Sequence, residues 1–103
     1  MPHLDALLTL LDGPRDNALL RFAIAGECLK ENRLHEAETH LRQALAWQAD
    51  YTAAWKLLGK VLTAAGDQAA AAEAYRHGID VATARGDIQA QKEMTVFLRR
   101  LSR

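Results

Sequence analysis

The chain of 103 residues is short of most of what signals chemistry. It has one cysteine, two prolines and few aromatics, about 6% of residues. Basic and acidic side chains number 13 each, so there is no excess charge of either sign. A single cysteine, Cys28, excludes an intramolecular disulfide and a cysteine-based zinc site, and favours a reducing compartment. Two prolines leave few obligatory helix breaks. A balanced charge argues against a nucleic-acid or anionic-membrane binder, which would show a basic excess. No apolar run approaches the roughly 18 residues that cross a bilayer. The apolar N-terminal stretch lacks the basic start and cleavage signal of a secretory leader. A cytoplasmic location is the expectation, without nucleic acid or membrane as partner.

What remains is alanine, leucine and charge, which favours helix over strand. Leu4, Leu7, Leu8 and Leu11 fall at i, i+3, i+4 and i+7, so a short amphipathic helix is expected over 4–12. Asp12-Gly13-Pro14 stops it. Asp16 or Asn17 can cap the next helix, which carries Leu19, Leu20, Ala23, Ile24 and Leu29 to about Glu31. Asn32 suits a left-handed C-cap. A helix from about His35 to Trp47 follows, with Ala37, Leu41, Ala44, Leu45 and Trp47 as its apolar set. Three more are expected over 52–65, 68–84 and 88–101. Gly66-Asp67 and Arg85-Gly86-Asp87 separate these last three. Links of two or three residues make neighbouring helices antiparallel.

Catalytic signals fail on inspection. His35-Glu36 and His40 glance at a zinc-protease motif, but the histidines are spaced i, i+5, about 140° apart on a helix. They read as two solvated surface histidines. Cys28 lies mid-helix with nothing arranged to lower its pKa, so it reads as a buried thiol. No nucleophile elbow, phosphate-cradling loop or carboxylate pair occurs. An enzyme is not expected, and neither a cofactor nor a metal is implied.

The most informative segment runs from Trp55 to Tyr75. Trp55, Leu58 and Gly59 have W-x2-L-G spacing, Leu62 follows, Gly66-Asp67 breaks the helix, and Ala71 and Tyr75 have A-x3-aromatic spacing. Shifted back 34 residues, Leu58 falls on Ile24, Gly59 on Ala25, Leu62 on Cys28, Gly66 on Asn32, Ala71 on Ala37 and Tyr75 on Leu41. Size class is kept throughout. The pattern resembles the tetratricopeptide repeat, a helix–turn–helix unit of 34 residues, in a small stand-alone protein of bacterial type. The resemblance covers 18–85, with repeat 1 at 18–51, repeat 2 at 52–85 and a C-terminal capping helix over 87–101. The chain departs from the family pattern at Arg21, where repeat 1 lacks the aromatic anchor, and at Ala49 and Thr83, where the family has proline.

The resemblance implies an all-α, right-handed superhelix of antiparallel helix pairs acting as a protein–protein interaction module. The first helix of each pair would line a concave groove that takes a partner's peptide or helix. Carried over by the 34-residue register, the groove residues are Phe22, Gly26 and Leu29, then Lys56, Lys60 and Thr63, then Ala90, Met94 and Phe97. Phe22 and Gly26 stand where the chaperone-binding subset has Lys and Asn, which argues against chaperone tails as ligands. The N-terminal leucines have two readings: a cap on repeat 1 or lid at the groove mouth with Gly26 admitting a close backbone, or a homodimer seam.

Overall fold

A computed structural model describes residues 2–102. Six helices follow one another: α1 (Pro2–Leu8), α2 (Ala18–Lys30), α3 (Leu34–Trp47), α4 (Thr52–Ala64), α5 (Gln68–Arg85) and α6 (Ile88–Leu101). Their ends carry the chemistry expected of them. The Asn17 side chain accepts from the Leu20 N–H at 2.8 Å. Asp67 and Asp87 accept from Ala70 and Ala90, each at 3.1 Å. Asn32, Gly66 and Gly86 all take positive φ. After each of them the next N–H returns to a carbonyl five residues back: Arg33 to Cys28, Asp67 to Leu62 and Asp87 to Ala82. These bonds satisfy the orphan carbonyls and stop the helix.

α2 packs with α3 and α4 with α5 as antiparallel pairs, and α6 packs on α5. α2 touches α4 and α4 touches α6, whereas α3 and α5 do not meet. The first helices therefore form a crowded inner layer and the second helices a splayed outer one. That difference in spacing is what curves the stack and gives it a concave side. The main core runs between the layers, built on Ile24, Leu41, Leu58 and Leu62, and a second cluster of Tyr75, Ala82, Ala90 and Met94 joins α5 to α6.

The N-terminal helix is shorter than its leucine spacing suggests. It ends at Leu8, and tight turns follow in which Leu10 N–H donates to Leu7 O and Leu11 N–H to Leu8 O. Asp12 then turns left-handed with φ 62°, and its N–H donates to the Asp16 carboxylate at 2.9 Å. The leucines still face inward. Leu4 is fully buried and Leu7, Leu8, Leu10 and Leu11 pack against the core. Among the helices α1 touches only α2.

Two members of the apolar sets of α2 and α3 lie outside. Leu19 is 65% exposed and Trp47 52% exposed.

Candidate functional site

The concave face is built from the inner helices, and their alignment is set by the lengths of the outer ones. α2, α4 and α6 begin at residues 18, 52 and 88, so the step is 34 residues and then 36. The second step is longer because α5 has 18 residues and α3 has 14, a difference half offset by a link of two residues after α5 where α3 is followed by four. This moves α6 by two positions relative to the register carried from the first pair. Met94, expected on the groove, takes the place of Leu58 and is fully buried. Its sulfur lies against Gly78, where a Cβ would collide with it and come within 2.9 Å of Trp55 Cβ. Ala90, expected beside it, is likewise buried.

On α2, Phe22 is half-buried, its ring 5.2 Å from that of Tyr51 at a 35° tilt. Leu29 packs on the core from its edge. Gly26 faces open space, with nothing within 4 Å of where a Cβ would stand, so α1 is not drawn over it. On α4, Lys56 is not a free cation: its ammonium meets Glu93 at 3.4 Å. Thr63 donates its hydroxyl to the Gly59 carbonyl at 2.7 Å, as threonines in helices do when no outside partner is offered. Lys60 is exposed and stands 5.4 Å from the centroid of the Phe97 ring.

Lys60, Thr63 and Phe97 meet in one cleft of about 460 Å³ between α4 and α6, together with Tyr75, Arg100 and Leu101. Tyr75 lies behind Phe97, ring centroids 5.6 Å apart, and burial pushes its hydroxyl pKa up, offset only in part by the neighbouring Thr63 side chain. Phe22, Gly26 and Leu29 lie apart from this cleft on α2. Arg100 and Glu93 are the residues that sequence reasoning passed over. The signal that could have found them is the distance between the caps of α5, Asp67 and Gly86.

The outer side holds a second constellation. Trp55 stacks on His77 at 4.9 Å and donates its indole N–H to the Ala49 carbonyl at 2.8 Å. Arg21 occupies the corresponding place in the first pair and anchors it by other means. Its guanidinium forms a two-pronged pair with Asp16 at 2.9 and 2.7 Å, approaches His40 Nδ1 at 3.2 Å and sits 5.3 Å over the Trp47 ring. The hydrogen bond from Arg21 holds the Asp16 carboxyl below its ordinary pKa. Burial, and then the charge of Arg21, lower the pKa of His40. His40 is thus half-buried and structural, not the solvated histidine its spacing suggested, whereas His35 is exposed.

Cys28 is fully buried, and burial raises its pKa, which keeps it a thiol. Among the described residues no cluster of three or more His, Cys, Asp or Glu could hold a metal ion, and no helix is long and apolar enough to cross a membrane.

No family model matches the chain. It is 48% identical over 88 residues to a TPR repeat-containing protein of Pseudomonas aeruginosa, aligning 85% of this chain and 84% of that one. The solution structure of a Bordetella parapertussis protein superposes with a TM-score of 0.82 at 42% identity, covering 98% of this chain and 85% of that one. A tetratricopeptide repeat domain protein of Salinibacter ruber gives TM-scores of 0.78 in solution and 0.77 in the crystal, at 24% and 23% identity. Those alignments cover 87% and 84% of this chain and 90% and 97% of the other, and at such identity the likeness is one of fold. With the paired helices, the Trp55–Tyr75 pattern and a relative matched along most of both chains, this protein belongs to the tetratricopeptide-repeat family.

Proposed function

We propose that the chain is a cytoplasmic adaptor, not an enzyme, that holds a peptide or helix of a partner protein on its concave face. The fold is that of a protein–protein interaction module in general. The binding unit in this reading is the two repeats at 18–51 and 52–85, with α1 closing one end and α6 the other. Phe22, Gly26 and Leu29 line one end of the face and Lys60, Thr63 and Phe97 the other. Met94 drops out of the set because it is buried, and Lys56 contributes as half of an ion pair.

The observation that carries this reading is the open inner layer. Gly26 has no neighbour over it and Lys60 is exposed, although both lie on the layer that curves inward. Self-association through the N-terminal leucines has less support, since those side chains already pack on α2.

Capture experiments with the wild type, with Lys60→Glu and with an outer-surface control, Trp47→Ala, test the proposal. A partner lost with Lys60→Glu and kept with Trp47→Ala supports the groove. A partner list unaffected by Lys60→Glu but altered by Trp47→Ala refutes it. The mass of the intact chain in solution separates the dimer reading.

A further inference from the structure

The seam between α4 and α6 is charged differently at its two ends. Near the helix starts, Lys56 is neutralised by Glu93 at 3.4 Å, with Asp87 beside them. Near the helix ends, the cleft under Lys60 and Arg100 is lined by no aspartate or glutamate. Phe97 forms its floor and Leu101 one wall. The Lys60 ammonium lies 5.4 Å and the Arg100 guanidinium 5.8 Å from the same Phe97 ring centroid. Among the described residues neither cation has a carboxylate within 4.0 Å.

Two like charges held over one ring repel each other. The ring face and the helix-end carbonyls attract them, but neither carries a full negative charge. An anion entering from solvent would relieve that repulsion while its charge stayed partly hydrated at the cleft mouth. The floor, by contrast, offers carbon: Phe97, the ring of Tyr75 behind it, and Leu101. Thr63 already spends its hydroxyl hydrogen on Gly59, so charge and apolar contact, not a directed hydroxyl bond, would select the ligand.

We propose that this cleft is the specificity pocket of the groove and takes an internal peptide segment in which an apolar side chain is flanked by aspartate or glutamate. The inference rests on the peptide-binding reading and names the chemistry of its ligand. The apolar side chain lies on Phe97 and Leu101, and the flanking carboxylates meet Lys60 and Arg100. Electrostatic matching of this kind acts chiefly on selectivity and on the association rate, and it weakens with salt.

The test is an NMR titration of the isotope-labelled full chain with two short peptides, each acetylated and amidated at its ends. One has a central leucine flanked by glutamates, the other the same leucine flanked by lysines. The acidic peptide is expected to move the amide signals of Lys60, Phe97 and Arg100 and to bind about tenfold tighter than the basic one at low salt. The double variant Lys60→Gln/Arg100→Gln, both exposed and outside the core, should remove most of that preference and flatten the salt dependence. Equal binding of the two peptides, or an affinity unchanged in the double variant, overturns the pocket. Binding that requires a free C-terminal carboxylate overturns it as well. Signals moving only around Phe22, Gly26 and Leu29 overturn the pocket and leave the groove standing, whereas no movement anywhere on the inner layer with either peptide counts against both.

Discussion

Two glycines in the inner layer should respond to the same substitution with opposite signs. Replacing glycine by alanine inside a helix ordinarily stabilises by roughly 0.5–1 kcal/mol, because the unfolded chain loses freedom. Gly26 lies within α2 at ordinary helical φ and has nothing within 4 Å of a new Cβ, so Gly26→Ala should deliver that gain in full. Gly59 lies within α4, where a Cβ would overlap three atoms of the Tyr75 ring, among them Cδ1 at 2.6 Å. Tyr75 cannot swing away: it is buried, with Phe97 against its ring. Overpacking of this kind costs about 1–3 kcal/mol, which outweighs the propensity gain and leaves Gly59→Ala destabilised by about 1 kcal/mol. The two variants should therefore differ by roughly 2 kcal/mol, or about 10 °C in Tm for a domain of this size. Urea and thermal unfolding followed by far-ultraviolet circular dichroism read the difference. In the preceding pair the corresponding residues are Ala25 and Leu41, both fully buried. Adding Tyr75→Leu to Gly59→Ala reproduces that combination and should recover part of the loss, a coupling that a double-mutant cycle isolates. A Gly59→Ala protein as stable as Gly26→Ala would refute the close approach of α4 and α5 at this point.

Acidification should reveal His40. Its folded pKa lies below the ordinary value of 6.5, because burial and Arg21 outweigh the opposing charges of Glu36 and Asp16. The unfolded chain therefore takes up the proton first. The stability involved is complete above pH 6.5 and is lost as pH falls through the lower folded value, and His40→Gln should flatten urea midpoints measured across that range. Asp16 has the same sign at lower pH: its contribution is complete above 3.8 and disappears as its depressed pKa is crossed. Leu4→Ala should cost about 2–3 kcal/mol, since Leu4 is wholly buried, and hydrogen exchange should then speed up first in α2, the helix on which α1 packs. Cys28, buried and held as a thiol, should react with a disulfide reagent only at the rate at which the chain opens.

Much of this fold was legible because its information is local. Asn17, Asn32, Gly66, Asp67, Gly86 and Asp87 are end signals whose hydrogen bonds close within a few residues, and the helix limits follow them closely. The leucine spacing identified the buried face of α1, but not its length. Three-residue-back bonds and the left-handed Asp12 end it early, and no periodicity reports those. The candidate site was less legible. Arg21 looked like a missing aromatic, yet its guanidinium finds Asp16 in the loop before α2 and, brought to it by the fold, His40 and Trp47 on α3.

The sequence by itself determined six helices, their order, the antiparallel pairing and the 34-residue step from α2 to α4, because caps, short links and apolar periodicity act over a turn or two. Only the tertiary structure decided which residues face the groove at its far end. The extra turn of α5 shifts α6 by two positions, burying Met94 and bringing Glu93 to Lys56, and Phe97 with Arg100 to Lys60. Those partners lie in different helices, tens of residues apart in sequence. Their meeting depends on how far one helix is displaced along its neighbour, a quantity that a pattern read one helix at a time does not contain.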